Sequence, residues 1–243
     1  LTNLDSLKII IDKINPDVII HLAALTDVDL CETEQVLAKT INVHATKILA
    51  QQAAKNNSFF VYVSTDYIFD GNSTMKKESD TPNPLGFYGK SKLEGELSLN
   101  DLASGWCIVR TSTPFGFHPT KKSFPIWIKE NLELKKEISA LTDQFTSPTY
   151  VPNLSQMIIE IAMRQISGII HLAGATRISR YDLAILVAEK LNLDKTLLIP
   201  IKIDNMNWKA QRPKDSSLDV SLAIEVLEEK PQKIEYSFNL FFS

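Results

Sequence analysis

Only eight of the 243 residues are glycine, and nowhere do they form Gly-x-x-Gly-x-x-Gly or Gly-x-Gly-x-x-Gly. A loop that cradles a pyrophosphate at a helix amino terminus needs such spacing, so none lies within this sequence. Cysteine is scarcer still. Cys31 and Cys107 sit far apart without metal-ligand spacing, which favours free thiols in a reducing compartment over a disulfide. His21, His44, His118 and His171 form no ligand spacing either, so no metal site is expected; His21 and His171 lie in apolar runs and read as satisfied core histidines. No apolar run approaches the roughly 20 residues that span a bilayer. Nor does one charge dominate: the formal net charge is −3, which gives no footprint of a nucleic-acid or membrane partner. No signal peptide is visible, and a cytoplasmic location is expected. The chain begins at Leu1 rather than at a methionine, so it reads as a fragment of a longer protein.

The chain has the makings of one substantial core, with 44% hydrophobic and 23% charged residues. Leu4, Leu7, Ile11 and Ile14 share one face of a helix over 2–14, with Thr2 or Asn3 as its cap. The run 18–24 is apolar throughout, which predicts a strand covered on both faces of a parallel sheet. A helix over 33–55, a second strand over 59–64 and a polar loop over 70–87 follow. A helix over 88–99 then leads to a third strand over 106–110. Helices over 126–134 and 152–163, a strand over 168–172 and a helix over 179–191, capped by Ser179, continue the alternation. Beyond Asp194 the periodic signal thins. This order predicts an α/β fold, a doubly wound parallel sheet, with a smaller carboxyl-terminal lobe from about residue 113.

Tyr88-Gly-Lys-Ser-Lys92 carries the strongest chemical signal. At i and i+4 on a helix, the two polar ends face one site. A nearby ammonium stabilises phenolate and brings tyrosine within range of acid–base work. With six tyrosines, a chance Tyr-x-x-x-Lys is expected about once in two such chains, so position decides its value. Here the pair opens a helix after a long polar loop and a buried strand. Ser64-Thr65 ends that strand, where open α/β sheets bind ligands, and the Thr65 hydroxyl could hold a substrate oxygen. Ala23, Ala24 and Thr26 end the preceding strand, where small residues allow close approach to the backbone, although two alanines also serve plain packing. Asn42 could support the lysine through water or merely face solvent. Glu94, Glu96 and Lys121-Lys122 read as solvated faces.

Several longer stretches resemble the dTDP-4-dehydrorhamnose reductase family, among the extended short-chain dehydrogenases/reductases. They are residues 16–29, Cys31-Glu32, residues 63–71, Asn83-Pro84-Leu85 and residues 88–96. Arg110-Thr111-Ser112, Asp143-Gln144-Phe145 with Pro148-Thr149, Arg212-Pro213 and Ser217-Leu218-Asp219 continue the match in the family's order. The resemblance implies a Rossmann-type domain over 1–112 lacking its first βαβ unit, with segments of about 140–172 interleaved, and a substrate lobe over 113–243. It also implies reduction of the C4 ketone of a dTDP sugar by NADPH, with NADH left open and Mg²⁺ unassigned. Thr65, Tyr88 and Lys92 would form the catalytic set, Tyr88 protonating the oxygen and Lys92 holding the ribose and tuning Tyr88. Ala23, Ala24, Thr26, Asn42 and Ser64 would join Tyr88 and Lys92 around the cofactor, while Tyr67 and Arg212 would meet the nucleotide sugar.

The family often has tryptophan after Arg-Thr-Ser, where this chain has Thr113, and asparagine where it has Ser123. Two other readings stay open. The Ser-Thr-Asp-Tyr and Tyr-x-x-x-Lys segments and Gln211-Arg212-Pro213 also resemble the regulatory beta subunit of methionine adenosyltransferase. A nucleotide-sugar epimerase or dehydratase would share much of the pattern. The assembly is unassigned, with a homodimer as one option.

Overall fold

The computed structural model describes residues 1–99, 102 and 105–243. Helix α1 (Leu4–Ile14), β1 (Val18–His21), α2 (Val28–Thr33), α3 (Gln35–Lys39), a π-helical turn (Thr40–His44) and α4 (Ala45–Lys55) lead into β2 (Phe59–Thr65). A 3-10 turn (Asp66–Ile68) and a long loop precede α5 (Phe87–Leu97), β3 (Trp106–Thr111), β4 (Pro114–Phe115), α6 (Phe124–Glu133) and β5 (Ile138–Leu141). Then come β6 (Phe145–Thr146), β7 (Thr149–Tyr150), α7 (Val151–Arg164), β8 (Gly168–His171), β9 (Ile178–Ser179) and α8 (Arg180–Lys190). The chain closes through β10 (Leu198–Ile201), α9 (Ser221–Val226) and α10 (Ile234–Phe241).

The main sheet has the order β1-β2-β3-β8, and each pairing is parallel. The carboxyl ends of these strands therefore open on one edge, with Thr65 in register with Thr111 and Arg110 with His171. Phe59, Val61, Val109 and Ile170 pack with Met157 and Ile161 of α7 on one face. On the other, Phe60, Tyr62 and Ile108 meet Leu49 and Ala53 of α4, with Leu7 and Ile11 of α1 outside them. Burial on both faces is what the unbroken apolar runs of β2 and β3 require. A second core joins Phe115, Ile128, Leu183, Val187 and Phe238, and beside it β5 and β10 form their own parallel pair.

Local chemistry explains the ends of the elements. Asn3 caps α1 by accepting from the Ser6 amide, and Asn15 closes the helix in a left-handed conformation before Pro16. Ser179 caps α8 as its position predicted, accepting from the Asp182 amide at 2.9 Å.

Four expectations are corrected. The strand expected over 18–24 stops at His21, and among the described residues β1 is paired on one side only, with Ile20 and Leu22 exposed. Apolar content alone cannot tell a central strand from an edge. The helix expected over 33–55 is broken after Glu34 and again by the π turn, whose wider winding turns Asn42 inward. Glu96 does not face solvent. It is buried and paired with Arg110 at 2.8 Å, because α5 lies on the sheet with more than one stripe. Finally, ordered strands and helices beyond Asp194 carry short runs that no periodic window resolves.

His21 and His171 are core residues, bonded to Thr46 Oγ1 at 3.0 Å and the Asp219 carbonyl at 3.2 Å. Burial drives both down to about 4, so both are neutral at pH 7. Cys31 and Cys107 are buried and free. No helix among the described residues is long and apolar enough to cross a membrane.

Candidate active site

Thr65 stands where β2 ends and the chain turns tightly over Asp66–Ile68. Its Oγ1 accepts from the Tyr67 amide at 3.2 Å and donates to Asp66 Oδ1 at 3.0 Å. The other oxygen of the buried Asp66 accepts from Ser112 Oγ at 2.7 Å. Burial raises the Asp66 pKa, against the pull of bonds from Ser216, Ser112 and Thr65. The turn thus presents one hydroxyl whose proton is already engaged.

Helix α5 lies directly on this turn. A Cβ on Gly89 would sit 2.1 Å from the Tyr67 carbonyl oxygen, so only glycine allows the approach. The contact brings Tyr88 edge-on to Tyr67, with ring centroids 5.9 Å apart. Gly89→Ala is expected to cost about 3 kcal/mol, at the upper end of overpacking effects, and to lower the melting midpoint by roughly 6–12 °C. A midpoint within about 2 °C of the parent would show that the helix can lift without penalty.

Lys92 follows one turn later, and its Nζ donates to the Val63 carbonyl at 2.7 Å while lying 4.1 Å from the Tyr62 ring centroid. Burial lowers its pKa to about 7, with Glu96 opposing the shift. Burial also pushes the Tyr88 phenol well above its ordinary value, the bond with Thr65 pulling the other way. The expected depression of Tyr88 by Lys92 is therefore corrected: the ammonium is aimed at Val63 and Tyr62, and desolvation dominates the phenol.

Asn42 was expected at the cofactor, yet it is only 1% exposed and every polar atom of its side chain is used. Its Oδ1 accepts from the Leu25 amide at 2.8 Å, and its Nδ2 donates to the Leu25 carbonyl and to Ser91 Oγ. Asn42 clamps the 22–27 loop to α5. Ala23 and Thr26 are exposed on that loop and Ala24 is half-buried.

A cavity of about 380 Å³ gathers Thr65, Tyr88 and Lys92 with Ala24, Thr26 and Ser64. Ser64 Oγ and Thr111 Oγ1, on two residues that line it, are buried without hydrogen-bond partners among the described residues. Orphaned hydroxyls at a strand edge, beside small residues and an ammonium, fit a polar ribose-bearing cofactor. A second cavity, of about 460 Å³, is lined by the aromatics Tyr67, Phe124, Trp127 and Trp208 and by the cations Lys122 and Arg180. Tyr67 and Arg180 line both cavities. Phe124 and Trp127 stack at 5.9 Å. Arg212 also borders the second cavity, but its guanidinium lies 3.0 Å from Asp29 and 4.2 Å from the Trp208 ring. It ties the 206–214 loop to α2.

Sequence reasoning missed Asp66, Ser112, Phe124, Trp127 and Arg180. Arg180 opens α8 and carries no spacing to mark it, since the residues it meets, Thr113 and Phe124, lie far from it along the chain.

The sequence profile of the RmlD substrate binding domain matches residues 1–242. A dTDP-4-dehydrorhamnose reductase of Aggregatibacter actinomycetemcomitans is 37% identical, covering 91% of this chain and 79% of that protein. Methionine adenosyltransferase 2 subunit beta of Danio rerio is 32% identical, covering 89% and 69%. Among solved structures, dTDP-4-dehydrorhamnose reductase of Bacillus anthracis, in complex with NADP, superposes with a TM-score of 0.92 at 30% identity, covering 99% of this chain and 85% of that one. Profile, relatives and fold agree that the chain belongs to the dTDP-4-dehydrorhamnose reductase (RmlD) family.

Proposed function

We propose that the protein reduces the C4 ketone of dTDP-4-dehydro-L-rhamnose to dTDP-L-rhamnose with NADPH. The observation that carries this reading is the meeting of Thr65, Tyr88 and Lys92 in one cavity that shares Tyr67 and Arg180 with an aromatic and cationic one. The first suits a reacting carbonyl. The second suits a nucleoside diphosphate, with rings for the base and cations for the phosphates.

Ala24, Thr26, Ser64 and Lys92 would hold the cofactor, whose nicotinamide supplies hydride when bound. The raised pKa keeps the proton on Tyr88 until an alkoxide forms to take it, the behaviour a general acid needs. Thr65 holds the substrate oxygen only by turning its proton from Asp66 into the cavity. Lys92, when protonated, brings positive charge to the floor of the site as the phenol loses its proton.

The amino-terminal part of the sheet fits a further strand–helix unit that carries the phosphate loop. Among the described residues β1 has one unpaired edge, and Ile9, Ile10 and Ile14 of α1 are exposed along with Ile20 and Leu22. We place the protein in the cytoplasm, where the buried thiols of Cys31 and Cys107 stay reduced.

A second reading, a regulatory subunit on the same fold, is favoured by the similarity to methionine adenosyltransferase 2 subunit beta. The full-length protein, given NADPH and freshly generated dTDP-4-dehydro-L-rhamnose, separates the two. Stoichiometric NADPH oxidation with dTDP-L-rhamnose as product is expected. Tight NADP binding without turnover would support the regulatory reading instead.

A further inference from the structure

Tyr88 stands second in α5, within the end turn, where helices fray. Proton donation requires the opposite, a phenol kept at one distance from Thr65 and the substrate oxygen. The residue before the helix, Gly86, has no side chain with which to cap it. The cap comes from elsewhere in the fold. Glu32, near the end of α2, accepts from the Phe87 amide through Oε2 at 2.8 Å. A carboxylate there satisfies a first-turn amide and meets the positive end of the helix dipole.

The approach is closely fitted. A Cβ on Gly86 would lie 3.4 Å from Glu32 Oε2 and 3.3 Å from the Gln211 carbonyl oxygen, so the backbone passes between the two. The 210–211 side of that slot is itself fastened to α2, since Asp29 accepts from the Ala210 amide at 3.0 Å and pairs with Arg212. Helix α2 is in turn fixed to the 22–27 loop. Asp27 caps it by accepting from the Leu30 amide, and Cys31 Sγ donates to the Leu25 carbonyl. Other anchors of α5 lie after Tyr88: Gly89 against Tyr67, Ser91 bonded to Asn42, and Lys92 bonded to the Val63 carbonyl. Among the described residues, Glu32 is the side chain that holds the helix ahead of Tyr88.

We propose that Glu32 is a positioning residue: by fixing the first turn of α5 it keeps Tyr88 where its proton can pass to the substrate. This rests on the reductase reading. Glu32 lines neither the catalytic cavity nor the aromatic one, so its effect passes through Tyr88 and not through ligand contact.

The test compares full-length parent, Glu32→Ala, Glu32→Gln and Glu32→Asp proteins. Each is assayed for NADPH oxidation with dTDP-4-dehydro-L-rhamnose and for hydrogen–deuterium exchange over residues 86–92. Glu32→Ala is expected to lower kcat by about 10–100-fold, the scale of a misplacement of about 1 Å. KM for both substrates should stay within about threefold, because neither loses a contact. Exchange over 86–92 should quicken by about tenfold, the loss of one charge-assisted bond. Glu32→Gln keeps an acceptor oxygen at the same reach and should restore most of kcat. Glu32→Asp, one methylene shorter, should resemble Glu32→Ala. A purely structural role predicts instead a lower melting midpoint with kcat unchanged well below it.

A kcat of folded Glu32→Ala within about threefold of the parent would overturn the proposal. So would equal losses in Glu32→Gln and Glu32→Ala, since the bond would then not be the cause. If Glu32→Ala does not fold, Glu32→Asp decides, and parental kcat in it would count against the anchor. A parent without turnover would overturn the reductase reading. Faster exchange in Glu32→Ala would then leave the anchor standing, and unchanged exchange would remove it.

Discussion

Tyr88→Phe is expected to lower kcat by about 10²–10⁴-fold while leaving fold and ligand affinity near the parent. The substitution removes one oxygen and keeps the ring that packs edge-on against Tyr67. Thr65 loses a neighbour but keeps its bonds to Asp66 and the Tyr67 amide, so the turn has no reason to move. Loss of activity with an unchanged melting midpoint would therefore report chemistry rather than packing. Retention of more than about a tenth of kcat would remove Tyr88 from the role of proton donor.

The same experiment has a pH arm. Lys92 in the free protein has its pKa lowered to about 7 by burial, so its positive charge is present below that value and lost as pH rises through it. If that charge supports the reaction, kcat/KM of the parent should decline on the alkaline side of about pH 7. Lys92→Met should abolish that limb together with most of the activity. A flat profile from pH 6 to about 9 would mean that Lys92 acts without its charge.

Glu96→Ala is expected to destabilise the protein by about 3–5 kcal/mol, the cost of leaving a buried charge alone. Both side chains of the Arg110–Glu96 pair are almost wholly buried, at 3% and 4% exposure. Arg110 Nε and Nη2 both donate to this carboxylate, and Nη1 reaches the Glu78 carbonyl at 3.3 Å. Removing the acid leaves the guanidinium in the middle of the sheet with one backbone partner and His171. Denaturant titration should show the loss in the midpoint. Replacing both members by apolar residues, Glu96→Leu with Arg110→Met, should recover much of it, since a buried pair is often replaceable as a unit. A double variant no better than Glu96→Ala would locate the loss in packing.

Glu96 also reaches the site. It lies one turn after Lys92 on α5 and raises the lysine's pKa against desolvation. Glu96→Ala should therefore move the alkaline limb of kcat/KM to lower pH. Stability responds in a defined direction as well. An unfolded lysine keeps its proton to about pH 10.4, whereas buried Lys92 releases it near 7. Between those values the unfolded chain binds more protons, so this group makes folding more favourable as pH rises across the window.

That Tyr88, Lys92, Thr65 and Ser64 share one cavity was legible because they lie at fixed local offsets: one helical turn, or the last residues of an apolar strand. The unbroken runs of β2 and β3 likewise announced a parallel sheet. The clamp made by Asn42 was not legible because a polar residue in a helix looks the same from sequence whether it faces water or holds a loop. Only the π turn and the packing of α5 decide between them. Glu96 was misread for a related reason, as its partner Arg110 lies on a strand and 14 residues away.

By itself, then, the sequence determined the α/β alternation, the helix caps at Asn3 and Ser179 and the grouping of Thr65, Tyr88 and Lys92 in one cavity, all properties set by neighbours along the chain. Which arginine is paired was decided only in three dimensions. Arg212 and Arg180 are chemically identical, yet Asp29 neutralises the first across the fold, while among the described residues no carboxylate oxygen lies within 4.0 Å of the second. Charge compensation depends on distance in space, and a linear sequence does not record that distance.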